Sequence, residues 1–131
     1  MEVAAAIIRD ERGRYLIVRR RPGTHLAGLW EFPGGKREAG ESINDCLRRE
    51  LAEELGAAFA VEEKVATIPW DYGERSVILH FFRCRLAVGT IAPREGQELA
   101  WVDAEALGGY AFPPADEAVV ARLVNSSRET A

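Results

Sequence analysis

Between Ser42 and Gly56 an aliphatic residue recurs at every fourth position, Ile43, Leu47, Leu51 and Leu55, and this stripe constrains the fold more than any other feature of the chain. Residues four apart share one helix face. The stretch therefore predicts an amphipathic helix whose leucine side must be buried against another element. Ser42 supplies the N-cap, and Asp45 three residues later can complete a capping box. Gly56 is placed to end the helix, because glycine enters the left-handed conformation without steric cost. A second helix is expected after Pro113-Pro114, with Val119, Val120, Leu123 and Val124 on one side.

The remaining apolar stretches read as strands. Residues 3–9 are β-compatible, 10–13 form a turn, and 15–20 form a second strand, which together predict a hairpin. Residues 21–29 contain Pro22, Gly23 and Gly28 and form a loop. Trp30-Glu31-Phe32 is a short extended piece ended by Pro33-Gly34-Gly35, with Trp30 expected to pack. Residues 61–70, 76–86 and 99–102 are further strands. Val77, Leu79 and Phe81 alternate with Ile78, His80 and Phe82, so the second of these is apolar on both faces and belongs in the middle of a sheet. Strands with two separated helices predict an α/β class chain, an α/β/α sandwich.

The 131 residues suit one domain spanning 1–131, and 47% hydrophobic content supports a core without disulfide staples. A net charge of −4 argues against a nucleic-acid polymer as partner. It leaves a single nucleotide open, because a metal ion can supply positive charge. Cys46 and Cys84 form no CxxC or Cys/His pattern and are expected as buried thiols in a reducing compartment. No signal peptide and no membrane-length apolar run is visible, so a cytoplasmic protein without a membrane partner is expected. His25 and His80 have no partners at metal spacing and are assigned no role.

Chemistry concentrates on the first helix. Glu50, Glu53 and Glu54 stand at i, i+3 and i+4, so their like charges crowd one side. A hard divalent cation such as magnesium or manganese relieves that crowding. Spacing alone equally allows a solvated acidic face with an Arg49–Glu53 pair. Glu54 projects between Ile43 and Leu47, beside the buried stripe, where an unpaired carboxylate is costly. Gly34-Gly35 permits a close backbone approach whose carbonyl could meet a metal, or a plain turn.

Residues 35–57, GKREAGESINDCLRRELAEELGA, resemble the Nudix box, G-x5-E-x7-R-E-U-x-E-E-x-G-U with U aliphatic. Every fixed position is present, and Ala57 in the last aliphatic place is the one soft departure. The resemblance implies the Nudix fold with a mixed central sheet. It implies Glu50, Glu53 and Glu54 as ligands of Mg2+, or Mn2+, with the Gly34 carbonyl beside them. Arg49 would orient a carboxylate, and Glu41 would support the loop and helix start.

Arg19-Arg20, Trp30 to Lys36, Arg94 to Gln97 and Phe112 to Leu123 resemble the MutT branch of that family, which removes oxidised guanine nucleotides such as 8-oxo-dGTP. By that resemblance Glu95 binds metal or activates water, Lys36 and Arg20 lie near phosphate and base, and Tyr72, Arg75, Leu79 and Asp116 build the base pocket. The implied reaction is attack of water at the β-phosphorus of a nucleoside triphosphate, with Glu53 or Glu95 as the proton acceptor. Unaided, Arg20 reads as part of a solvated Arg19-Arg20-Arg21 run, and Asp116 as a helix N-cap.

Asp116 departs from the branch, where asparagine is expected. Asparagine donates to O6 and accepts from the N7–H of an 8-oxopurine, whereas ionised aspartate only accepts. Either Asp116 is held protonated by a dry pocket, or it reads an amino group such as cytosine N4 or the guanine N1–H and N2 edge. Nudix enzymes that act on cytidine triphosphates also carry aspartate after Pro-Ala. The alternatives are thus a CTP or dCTP pyrophosphohydrolase, a Nudix enzyme for dinucleoside polyphosphates or ADP-ribose, and a non-catalytic nucleotide-binding module. The sequence sets no oligomeric state.

Overall fold

A computed structural model describes residues 1–24 and 27–130, with the side chains of Glu129 and Thr130 excepted; His25 lies outside the described residues. Seven strands are present, β1 (Glu2–Ile8), β2 (Arg14–Arg19), β3 (Trp30–Glu31), β4 (Gly34–Lys36), β5 (Ala58–Asp71), β6 (Ser76–Val88) and β7 (Glu98–Asp103). The helices are α1 (Ile43–Leu55) and α2 (Pro114–Thr130), with a short 3₁₀ helix at Ala104–Gly109.

The strands form two sheets, ordered β4-β1-β6-β5 and β3-β2-β7. The first is mixed, because β1 runs parallel to β6 while its other pairings are antiparallel. β6 lies between β1 and β5, as its two apolar faces predict. β5 is an edge strand, which explains how Pro69 is tolerated in it.

The expected hairpin of the first two strands does not form. β1 and β2 belong to different sheets, and their backbones pair only beside the turn, through the Arg9–Tyr15 bridge and the Asp10 N–H donating to the Arg14 carbonyl at 2.9 Å. β1 is apolar on both faces, so both its edges need hydrogen-bonding neighbours, and β4 and β6 occupy them. The turn between β1 and β2 forms where expected. The Asp10 carboxylate accepts from the backbone N–H groups of Arg12 and Arg14 at 2.9 and 2.8 Å.

The two faces of β1 explain the layers. Ala4, Ala6 and Ile8 pack with Leu16, Leu47, Leu51 and Leu55 on the α1 side. Ala5 and Ile7 pack with Ile17, Phe81, Val119 and Leu123 on the α2 side. Helices thus cover opposite faces of the strands, giving the α/β/α sandwich. Cys46 and Cys84 are buried and unbridged, and burial pushes their thiols up to about 11 and about 12.

Helix boundaries follow the sequence with two changes. Ser42 caps α1 by accepting from the Asp45 N–H at 3.1 Å, and Gly56 ends it at φ 68°, ψ 26°. The Asp45 carboxylate pairs with Arg48 at 3.0 Å, so the reciprocal half of the capping box is replaced by an ion pair. Aspartate is one methylene shorter than the glutamate of that motif. α2 begins at Pro114, which places Asp116 inside its first turn rather than at the N-cap.

His80 is a buried structural residue. Its Nε2 lies 3.0 Å from the Glu2 carboxylate and its Nδ1 2.9 Å from Lys64 Nζ. An ammonium only donates, so these partners assign Nδ1 as acceptor and Nε2 as the N–H. Glu2 also accepts from Arg37 Nε at 3.0 Å, tying β5, β6 and β1 to the end of β4.

Leu51 is fully buried between α1 and β1. Leu51→Ala is expected to cost about 2–5 kcal/mol in urea unfolding, the range for a large-to-small core substitution. A loss below about 1 kcal/mol would show that α1 is not packed as described.

Candidate active site

α1 delivers its carboxylates to two different places. Successive residues rotate by about 100°, so Glu54 is displaced about 40° from Glu50 in one sense and Glu53 about 60° in the other. Glu54 therefore falls beside the leucine stripe and is 7% exposed. It accepts from the Gly34 N–H at 3.2 Å. Burial raises its pKa to about 8, and the nearby Glu31, Glu95 and Glu50 charges add to the shift. Glu50 is raised in the same direction, chiefly by burial.

Glycine is required where β4 passes α1. A side chain at Gly35 would occupy the position of the Glu50 carboxyl, and one at Gly34 would collide with the Ala4 carbonyl. The two residues are thus a close approach within a strand rather than a plain turn.

Val18, Arg19, Arg20, Arg21, Thr24, Glu31, Gly34, Glu50, Glu54, Glu95 and Gln97 line a cavity of about 160 Å³. Glu95 comes from the loop before β7, and Gln97 fixes that loop. Its amide donates to the Glu54 carbonyl at 2.9 Å, and its side-chain oxygen accepts from the Glu95 N–H at 3.0 Å. Several carboxylates facing one small space form an oxygen donor set that suits a hard divalent cation. No three of the described histidine, cysteine, aspartate or glutamate side chains already stand around one metal position.

Glu53 does not line this cavity. Its side chain is 54% exposed and lies 3.4 Å from Arg49. The pair suggested by the i,i+4 spacing is therefore present, but as one arm of a larger cluster. Arg49 donates to both Glu41 oxygens at 3.0 and 2.7 Å, to Glu50 at 2.9 Å and to the Lys36 carbonyl at 3.1 Å. Glu41 also accepts from the Glu38 N–H, and these bonds, Arg49 foremost, hold its carboxyl down to about 2. Arg49 thus orients Glu50 and anchors the end of β4 at Lys36.

A second cavity, of about 380 Å³, opens on the other side of Arg20, Glu31 and Gly34, which line both. Its floor includes Val3, Ala5, Phe32, Val77 and Leu79. Lys36, Tyr72, Arg75 and Asp116 add polar groups to its walls. The β5–β6 turn presents Tyr72 and Arg75, closed by the Tyr72 N–H donating to the Arg75 carbonyl at 2.9 Å. Asp116 is 5% exposed, and burial first, then the Glu31 charge, raises its pKa to about 7.

Comparison with known proteins agrees with this architecture. A NUDIX domain profile matches residues 4–122. The chain belongs to the Nudix family. It is 37% identical to an 8-oxo-dGTP diphosphatase of Haemophilus influenzae over 97% of this chain and 93% of that protein. It is 40% identical to a CTP pyrophosphohydrolase of Escherichia coli over 88% of this chain and 85% of that protein. The crystal structure of a MutT protein from Methanosarcina mazei superimposes with TM-score 0.84 at 26% identity, covering 97% of this chain and 94% of that one.

Within this Nudix fold the twelve residues singled out from sequence fall into three groups. Gly34, Glu50, Glu54 and Glu95 share the acidic cavity. Arg20, Lys36, Tyr72, Arg75, Leu79 and Asp116 share the larger one. Arg49 and Glu53 stand outside both. Sequence reasoning missed Glu31. Arg20 Nη1 donates to both its oxygens at 2.9 and 2.8 Å, and burial raises its pKa against the opposing pull of that cation. The only signal was a charged residue between Trp30 and Phe32, two residues that pack: Trp30 edge-on to Tyr110, and Phe32 stacked on Phe112.

The raised Glu54 carboxyl makes metal-free stability depend on pH. Its folded value of about 8 lies above its ordinary 4.5, so the folded state holds the proton more tightly. The contribution is intact below pH 4.5 and declines as pH rises toward about 8. In chelator, the melting temperature is expected to fall across this window, and to fall less in Glu54→Gln, which cannot titrate there. Equal slopes for the two proteins would show that Glu54 is not held as described.

Proposed function

We propose that this protein is a nucleoside triphosphate pyrophosphohydrolase, that residues 1–131 act as one Nudix domain, and that oxidised guanine nucleotides such as 8-oxo-dGTP are its substrates. The observation that carries this reading is the shared wall between the acidic cavity and the larger one that holds the buried Asp116. A space of about 380 Å³ lies within the usual size of small-ligand sites, roughly 300–1,000 Å³. The role is clearance of damaged nucleotides from the cytoplasmic pool, with a small molecule as partner.

The residues divide the work. Glu50, Glu54, Glu95 and the Gly34 carbonyl would hold Mg2+, which when bound neutralises phosphate charge and acidifies water. Water adds to the β-phosphorus, the bond from that phosphorus to the α-phosphate bridging oxygen breaks, and the monophosphate leaves. The pyrophosphate keeps the oxygen of the water. Between the two candidate bases we favour Glu95, which lines the cavity, over Glu53, which lies outside it on Arg49. Lys36 and Arg20 counter the phosphate charge.

Asp116 reads the base. With its pKa raised to about 7 by burial, it keeps its proton below about pH 7 and there offers a donor to O6 and an acceptor to N7–H. A second reading, CTP or dCTP as substrate, is favoured by the 40% identity to a CTP pyrophosphohydrolase and by the aspartate itself, which accepts from a cytosine N4 amino group when ionised.

Values of kcat/KM for 8-oxo-dGTP, dGTP, CTP and dCTP distinguish these readings. The unsubstituted protein is expected to favour 8-oxo-dGTP over dGTP, and to lose that preference as pH rises through about 7. Asp116→Asn should keep it at all pH values. A preference for CTP that Asp116→Asn weakens by about 1–3 kcal/mol would replace the guanine reading with the cytosine one.

Glu95→Gln is expected to lower kcat by about 10²-fold or more with little change in KM, as for a group that acts mainly in the transition state. Glu53→Gln should lose less. The reverse order would return the base to Glu53.

A further inference from the structure

A third cavity, of about 260 Å³, adjoins the acidic one and shares only Arg20 with the cavity that holds Asp116. Arg19, Arg20, Arg21 and Gln97 line both, and Pro22, Gly28, Gly96 and Glu98 complete the third. The three cavities therefore run in series. Arg20 lines all of them, and Glu31 and Gly34 mark the passage from the larger cavity to the acidic one.

The character of the walls changes along this line. The larger cavity is mostly apolar at its floor, the next sets four carboxylates, Glu31, Glu50, Glu54 and Glu95, against Arg19, Arg20 and Arg21, and the last is lined by the same three arginines with one carboxylate, Glu98. Glu98 only partly offsets the cations. It meets Arg19 at 3.4 Å with both side chains exposed, an arrangement worth little in water. Arg21 is exposed and forms no ion pair with the described residues. A solvated surface run would need no such order. A nucleoside triphosphate has it: an apolar base, then phosphates that need a metal, then a doubly charged terminus beyond the metal's reach.

We propose that the arginine-lined cavity binds the terminal phosphate of the substrate through Arg19 and Arg21. This rests on the activity proposed above and deepens it, because it makes the enzyme selective for triphosphates over diphosphates. The scissile β-phosphorus then lies at the carboxylates, with the base toward Asp116 and the γ-phosphate toward Arg21. Guanidinium groups suit this position, since they present paired N–H donors to phosphate oxygens. The same cavity holds one end of the pyrophosphate product before release.

The test compares the unsubstituted protein, Arg21→Ala and Arg21→Lys on the triphosphate the protein hydrolyses fastest and on the diphosphate of the same nucleoside. Arg21 has no ion pair with the described residues to lose, so Arg21→Ala should melt at the unsubstituted temperature. It is expected to lose about tenfold or more in kcat/KM on the triphosphate, the scale of a charge-assisted hydrogen bond, and much less on the diphosphate. Arg21→Lys should recover part of the loss. Calorimetry with magnesium present should show the Kd for pyrophosphate rising by a similar factor, and the Kd for the nucleoside monophosphate unchanged. Equal losses on triphosphate and diphosphate, or an unchanged pyrophosphate Kd, would overturn the proposal. If the unsubstituted protein hydrolyses no triphosphate, the proposed activity fails, and pyrophosphate calorimetry still decides whether these arginines form a phosphate site.

Discussion

A carboxylate buried against a leucine stripe is a costly thing for a small domain to hold, and the geometry around Glu54 is organised by that cost. Its side chain needs a donor, and the Gly34 N–H supplies one. Gly34 can come that close only because β4 lies flat on β1, where a side chain would strike the Ala4 carbonyl. Gly35 must then also lack a side chain, because Glu50 fills the space above it. One burial thus dictates the two glycines, the short strand β4 and the distance of α1 from the sheet. The remaining mismatch appears as a pKa raised to about 8, which a divalent cation would reverse.

Arg49 solves the opposite problem on the solvent side of the same helix. Glu41, Glu50 and Glu53 would repel one another, and the guanidinium meets all three. Its bond to the Lys36 carbonyl extends this order to the end of β4. Rotation about α1 therefore gives its glutamates different surroundings: Glu54 faces the cavity, Glu53 is paired by Arg49, and Glu50 does both. Glu53 lies outside the cavity in this structure, although its spacing in sequence gives it the same standing as Glu50 and Glu54.

That contrast shows what could be read from the sequence. Period-four leucines, Ser42 and Gly56 determine α1 almost residue for residue, because local backbone chemistry decides where a helix begins and ends. Two apolar faces likewise put β6 in the sheet interior. The partner of β1 was not legible. Proximity along the chain favours β2, but edge hydrogen bonding across β4 and β6 wins, and that competition involves residues 34–36 and 76–88. Glu31 was invisible for a related reason. Its significance comes from Arg20, eleven positions away, and from lying where two cavities meet. Residues known only through the Nudix and MutT resemblance, such as Tyr72, Arg75 and Glu95, had no local signal either. Each takes its place from a loop that tertiary packing positions.

The division between layers explains how similar chains can carry different substrate names. Carboxylates of the acidic cavity come from α1 and the loop bearing Glu95, beside β4, and they depend on the α1-side core. Groups around the larger cavity come from the β5–β6 turn, β6 and the first turn of α2, which rest on the opposite core. Substitution at Asp116 can change what the second cavity accepts without disturbing Glu54, Gly34 or Arg49. The link between the halves is the Arg20–Glu31 pair, which lines both cavities and whose carboxylate raises the pKa of Glu54 and of Asp116 alike. A charge bound in the acidic cavity must therefore be felt at Asp116. A cation at the carboxylates would draw the Glu31 field toward itself and ease the ionisation of Asp116. On this argument the protonation of Asp116 is set jointly by its pocket and by what occupies the acidic cavity.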